Sequence, residues 1–207
     1  PAVYSPYGRE CRDVWTIPEG YKLVGCDASG LELRMLAHYM NDEDYTNEIL
    51  NGDIHTANQL ASGVETRDQA KTFIYAFLYG AGDAKVGSIV GGTKRDGARL
   101  KEKFLSNTPS LRDLRERVGV AATRGYVLGL DRRRVSIRSE HAALNSLLQS
   151  AGAVVMKKAL CLLHEYATLW GIKFNIIGNI HDEIQTEVEQ EKAEVFGRLA
   201  VSCIEAA

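Results

Sequence analysis

The stretch over residues 23–36, LVGCDASGLELRML, limits the possible folds more than any other. It opens on a short apolar run, Leu23-Val24-Gly25-Cys26, which has the length of a buried strand. Asp27 closes the strand and Ala28-Ser29-Gly30 turns the chain. Leu31, Leu33, Leu36, Ala37 and Met40 then set a helical period. Two readings of Asp27 stay open. It caps the following helix, or it is a ligand held rigidly at a strand end where the turn opens to substrate.

A second strand with a carboxylate at its end lies near the other end of the chain. Residues 174–180 read as a strand, and Ile184, Thr186 and Val188 alternate as its partner. His181-Asp182-Glu183 sits between them, at a hairpin tip. Helices dominate the middle. Residues 67–79, RDQAKTFIYAFLY, form a helix with Thr66 as N-cap and Asp68 in the first turn, ended by Gly80-Ala81-Gly82. Phe73, Ile74, Phe77 and Leu78 mark its core side. Further helices are expected near 45–50, 57–61, 95–106 and 109–123, with glycine-rich short pieces over 82–97. Residues 125–137 read as two short strands, 142–170 as one long helix, and a last helix starts near residue 190. Residues 1–20 look loop-like, with Pro6-Tyr7-Gly8 and Pro18-Glu19-Gly20 as turn signals. The expected class is α+β, a small antiparallel sheet built from both chain ends with an inserted helical subdomain.

Composition adds boundaries. With 25 Lys and Arg against 27 Asp and Glu, net charge announces no nucleic acid, although a local basic patch stays open. Cys11, Cys26, Cys161 and Cys203 are scattered with no CxxC pair, which argues against zinc. Cys26 and Cys161 lie in apolar runs and are expected as buried thiols in a reducing compartment. No secretory signal and no apolar run of 18 residues is visible, so no membrane partner is expected and the location expected is cytoplasmic. The chain begins at Pro1 without Met and stops inside a helical pattern, so it is expected to be a fragment of a longer protein.

Three constellations can carry chemistry. Asp27 and Asp182, each at a strand end, can bridge two Mg2+ ions for in-line phosphoryl transfer. The alternative is two unrelated acids, a cap and a turn residue. Arg67 and Lys71 are one helical turn apart, followed by Tyr75 and Tyr79 at the same spacing. Such a face offers two phosphate-binding cations and then aromatic surface, unless the cations are merely solvated and the tyrosines are core. Arg132, Arg133, Arg134 and Arg138 can hold a phosphate backbone, and Asn145 and Gln149, one turn apart, can read a minor groove. A charged loop and a polar helix face remain the alternative.

Taken in order, these stretches resemble the family A DNA polymerases. DASGLELR is similar to the family's first catalytic motif, and RDQAKTFIYAFLYGAG to the nucleotide-binding helix of its fingers. LNSLLQSAGA is similar to the helix between motifs, and IHDEIQ to the hairpin with the second catalytic aspartate. GDIHT resembles the replicative polymerases of T-odd bacteriophages, and the resemblance covers essentially the whole chain. It implies a polymerase palm over 1–40 and 140–207, with fingers over 41–139. The activity implied is DNA-templated DNA synthesis, nucleotidyl transfer from a dNTP to a primer 3′-hydroxyl by a two-metal mechanism, in the host cytoplasm if phage-encoded.

The resemblance also implies roles for residues. Asp27, Asp182 and the Ala28 carbonyl are the Mg2+ ligands it implies. Arg67 meets the γ-phosphate, and Lys71 meets the α-phosphate as a general acid to pyrophosphate. His55 and Tyr75 flank the β-phosphate, Tyr79 stacks near the templating position, and Glu32 lies under the sugar and excludes a 2′-hydroxyl. Asn145 and Gln149 monitor the primer-template, Arg138 joins the DNA contacts, and His181 and Glu183 lie near the primer end. Partners implied are primer-template DNA and dNTPs. No family-type thumb or exonuclease domain is expected within these residues, hence no processivity factor for this segment, and the family's palm continues beyond Ala207. Two rival classes are a non-catalytic nucleic-acid-binding remnant and a two-metal nuclease. Retention of Asp27, Lys71 and Asp182 together argues against the first, and the Lys–Tyr helix with Glu32 against the second.

Overall fold

The computed structural model describes residues 4–14 and 16–207. Its elements in chain order are α1 (Gly8–Asp13), β1 (Tyr21–Asp27), α2 (Leu31–Met40), α3 (Glu43–Asn51), α4 (Ile54–Ser62) and α5 (Arg67–Leu78). Then come α6 (Asp83–Ile89), α7 (Lys94–Asn107), α8 (Pro109–Ala122), β2 (Tyr126–Leu128), β3 (Arg134–Ser136) and α9 (Ala143–Leu169). β4 (Phe174–Ile180), β5 (Glu183–Glu189) and α10 (Ala193–Glu205) complete the described chain, with single 3-10 turns before α9 and α10. The class is α+β with small antiparallel sheets, as the sequence predicts. Two compact units divide the chain, Pro1–Ser29 with Val155–Ala207, and Gly30–Val154. The division falls inside α9.

The first unit is built on a three-stranded antiparallel sheet in the order β1-β5-β4. Central β5 shows why it forms. Ile184, Thr186 and Val188 are buried while Glu183, Gln185, Glu187 and Glu189 stay half-exposed, the period-2 pattern of a sheet covered on one face. α10 supplies the cover with Phe196, Leu199, Ala200 and Cys203, all buried and three or four residues apart. Phe174 of β4 packs its ring on Phe196 and on His164 of α9, at 5.4 and 5.6 Å between centroids. A register irregularity lies between Ile176 and Gly178, so Ile177 points outward and is exposed.

The second unit is helical apart from the β2–β3 hairpin. Its core gathers Leu36 from α2, Phe73 and Ile74 from α5, Val86 from α6, Phe104 from α7, Leu111 from α8 and Leu148 from α9, all fully buried. Phe73, Phe77 and Phe104 form a cluster with edge-to-face contacts at 5.2 and 5.4 Å. In the hairpin, Arg133 is paired with Asp131 and the Arg134 guanidinium lies 4.8 Å from the Tyr126 ring centroid. Those two arginines of the basic set are therefore engaged locally.

Several expectations change. β1 is an edge strand rather than a buried one. Its inner face meets α10, and Lys22 and Leu23 on it are exposed, Leu23 by 49%. Residues 1–20 are not all loop, because α1 forms after the Pro6-Tyr7-Gly8 turn, with Glu10 in its first turn. The parts of that loop at residues 1–3 and 15 lie outside the described residues. Cys161 is exposed rather than buried, and Cys26 is only partly covered. The Glu140–Leu169 stretch is long and apolar enough by length and composition alone to cross a membrane, although Lys157 and Lys158 interrupt it and it is no unbroken apolar run. Ala151, Met156, Ala159, Leu163 and Ala167 along it are buried within the protein.

Candidate active site

The carboxylate centre follows from the sheet register. Antiparallel pairing of β1 with β5 sets Asp27 directly opposite Glu183. The next residue back, Asp182, forms the β4–β5 turn with His181, which takes a left-handed conformation at φ 57. The Ala28 N–H donates to the Asp182 carbonyl at 2.9 Å, so the turn after β1 and the turn before β5 are tied together. Desolvation, then the charges of Asp182 and of Glu183, push the Asp27 carboxyl above its ordinary range. The Gln185 amide donates to Glu183 at 2.5 Å, and Gly25 leaves room for that carboxylate, since a Cβ there would come within 3.0 Å of its oxygen.

Among the described residues, no group of three or more His, Cys, Asp or Glu side chains is gathered for a metal ion. The donor set nevertheless fits magnesium. That ion takes one or two carboxylates and fills its other positions with water and substrate phosphates. The mutual repulsion that opposes ionisation of Asp27 is what a divalent cation reverses.

The second set lies in the other unit and is organised by α5. Thr66 caps the helix with a full capping box, its hydroxyl accepting from Gln69 N at 3.2 Å and its own N–H donating to the Gln69 side chain at 3.1 Å. Arg67 is the first helical residue, and Lys71, one turn on, is exposed. Tyr75 is half-buried, its ring 6.3 Å from that of His55 and stacked 6.5 Å from that of Tyr79. Tyr79 is the C-cap rather than the last helical residue, and its hydroxyl donates to Glu32 at 2.6 Å. The structure thus joins Arg67, His55, Tyr75, Tyr79 and Glu32 in one continuous string, with the core phenylalanines on the opposite side of α5.

Electrostatics mark the basic end of this string. Burial, the Arg67 charge and the Lys71 charge push His55 down, against an opposing pull from Asp53. Among the described residues, the buried Nδ1 of His55 has no hydrogen-bond partner. Asp53 itself was not legible as a site residue. It caps α4 and forms a two-point ion pair with Arg67, at 2.6 and 3.0 Å. Its sequence signals are its place just before a helix start and its membership of the GDIHT stretch.

Asn145 and Gln149 lie one turn apart on α9, half-buried and exposed respectively. Arg138 is exposed on the segment between β3 and α9, and His181 is exposed at its turn.

The chain belongs to DNA polymerase family A, whose family model matches residues 2–207. Among individual relatives, the DNA-directed DNA polymerases of Enterobacteria phage T3 and Escherichia phage T7 are each 45% identical over 93% of this chain. The match spans 32% of each of those proteins, so the chain covers about a third of their length. DNA polymerase I, thermostable, of Thermus aquaticus is 29% identical over 98% of the chain and 27% of its own length. The POL domain of Pol1 from M. smegmatis, solved in complex with DNA primer-template and dNTP, shares the fold at a TM-score of 0.85 and 22% identity. That likeness covers 98% of this chain and 40% of the other.

Proposed function

We propose that these residues form the palm and fingers of a phage-type DNA-templated DNA polymerase, joining dNTPs to a primer 3′-hydroxyl. The palm takes 1–40 and 140–207 and the fingers 41–139, a division by role that differs from the two compact units. The observation that carries the reading is the Ala28–Asp182 backbone hydrogen bond, which fixes two strand-end aspartates side by side in a chain of this family.

Asp27 and Asp182, with the Ala28 carbonyl, would hold divalent metal, two Mg2+ ions in this reading. When bound, Mg2+ supplies charge neutralisation at the α-phosphate and lowers the pKa of the primer hydroxyl. Arg67 and Lys71 orient the triphosphate, and Lys71 delivers a proton to the departing pyrophosphate. Tyr75 and His55 line the phosphates. Glu32, fixed by the Tyr79 hydroxyl, presents a carboxylate beneath the sugar that rejects a 2′-hydroxyl. Asn145, Gln149 and Arg138 contact primer-template, and His181 and Glu183 border the primer end. Catalysis in this scheme is positioning and charge stabilisation, with α5 closing on a matched pair as the selective step. The work is done in the cytoplasm of the host cell.

Primer extension with magnesium tests the proposal, comparing the complete protein that carries these residues with its Asp182→Ala variant. Extension is expected in the parent and lost in the variant. Unchanged extension in the variant would break the two-carboxylate reading, and no extension by either would favour a non-catalytic DNA-binding role.

A further inference from the structure

The Asp53 carboxylate accepts four hydrogen bonds. Two come from Arg67, from Nε at 2.6 Å and Nη2 at 3.0 Å. The others come from the His55 N–H at 3.0 Å and the Thr56 hydroxyl at 2.9 Å. A carboxylate offers about four lone-pair sites, so this one is saturated. Both ends of the ion pair are rigid. Asp53 is the N-cap of α4, and Arg67 opens α5 behind a complete capping box. About half of each side chain is exposed, 50% for Arg67 and 42% for Asp53, and solvated pairs of that kind add little to stability. A fixed, four-bond arrangement between two helix starts therefore calls for a reason other than stability.

Guanidinium geometry supplies one. Of five N–H groups in a planar fork, the Asp53 contact uses one edge, Nε–H and one Nη2–H. Nη1 and the remaining Nη2–H are not used by Asp53 and can take a phosphate oxygen without breaking the pair. The same carboxylate fixes the backbone of His55, whose buried Nδ1 lacks a partner among the described residues, and Lys71 is close enough to act on the His55 charge.

We infer that Asp53 is a positioning residue for the incoming triphosphate, holding Arg67 by one edge so that its free edge, together with His55, is preset for the distal phosphates. The inference rests on the polymerase reading above. Without Asp53, Arg67 regains its rotamers, and ordering them again on binding weakens nucleotide affinity while leaving the bond-making step alone.

The test is a double-mutant cycle in the complete protein, with Asp53→Ala, Arg67→Ala and the double variant, scored by single-dNTP incorporation. Asp53→Ala is expected to raise KM for the dNTP about 2- to 12-fold, the cost of re-immobilising one long side chain, with kcat nearly unchanged. In the Arg67→Ala background the same change is expected to do nothing further. Asp53→Asn keeps a capping oxygen but loses the charged two-point clamp. It is expected to raise KM as Asp53→Ala does while keeping the melting temperature of the parent. An undiminished KM effect without Arg67, an unchanged KM in Asp53→Ala, or parent-like behaviour of Asp53→Asn would each overturn the inference. Calorimetric titration with dNTP and magnesium reads the same cycle as Kd. A parent that binds dNTP in that way but never incorporates it would sink the polymerase reading and leave the cycle to decide on Asp53.

Discussion

Replacing Phe104 with Ala probes what holds α5 in place. The Phe104 ring is fully buried and lies edge-on to Phe73 at 5.2 Å and to Phe77 at 5.4 Å, with interplanar angles of 88° and 82°. Phe73 and Phe77 are on the inner side of α5, and Arg67 and Lys71 are on its outer side. Deleting a buried Phe ring costs about 3–5 kcal/mol, which includes the lost edge-to-face contacts. Native-state hydrogen exchange resolves this by segment. Amides of α5 that exchange through opening of this core are expected to lose protection by about 150- to 5,000-fold, the same energy expressed as an equilibrium constant. Phe104→Leu keeps most of the apolar volume and loses much less. A drop of under about tenfold in Phe104→Ala would mean that the aromatic cluster does not hold α5, and the packing account given above would fail.

Two further expectations concern carboxylates. Asp42 caps α3 by accepting from Tyr45 N at 2.9 Å and accepts the Ser110 hydroxyl at 2.6 Å, which hold its pKa below 3.8 against partial desolvation. Asp42→Ala is expected to cost about 2 kcal/mol at pH 7 in urea unfolding. Because the folded pKa is depressed, the charged contribution is present above about pH 4 and lost as pH falls through the folded value. A gap to Asp42→Asn that stays constant down to pH 2 would contradict it. Asp27 behaves in the opposite sense, since a raised folded pKa makes its ionisation unfavourable to folding as pH rises above the unfolded value of 3.8. Asp27→Asn is therefore expected to melt higher than the parent in chelator at pH 7, and magnesium is expected to stabilise the parent more than the variant. Equal magnesium shifts in both would refute the role of Asp27 in holding the ion.

What could be read from the sequence is what local chemistry decides. Thr66 as N-cap and Phe174–Ile180 as a strand come out as expected, because a capping residue and a short apolar run are complete signals within a few positions. The buried side of α5 follows from spacing alone. β1 misled because a short apolar run does not say whether one face or two will be covered. Cys161 misled for a related reason. α9 is apolar nearly all round, and the buried series Met156, Ala159, Leu163 and Ala167 leaves residue 161 on the opposite side. Contacts such as Tyr79 with Glu32, 47 residues apart, and Arg67 with Asp53, 14 apart, depend on how helices pack, which no window of sequence contains.

Asp27 and Asp53 contrast the ligand proposed for the carboxylate centre with the clamp proposed on α4. Each is a single aspartate at the edge of an element, and for each a cap is one reading that the sequence allows. Their surroundings drive them in opposite directions. Asp53 has its charge met by Arg67 and by the His55 N–H and Thr56 hydroxyl of α4, so its carboxyl sits far below the usual range and its lone pairs are spent. Such a group has nothing left to offer an ion, and its effect on substrate has to pass through the arginine it holds. Asp27 is partly desolvated and faces the like charges of Asp182 and Glu183. An unfilled demand for positive charge is a property of a site built to be completed from outside, and a divalent cation accompanied by a polyphosphate meets it. The neighbours each aspartate meets, more than the residue type, set the two apart.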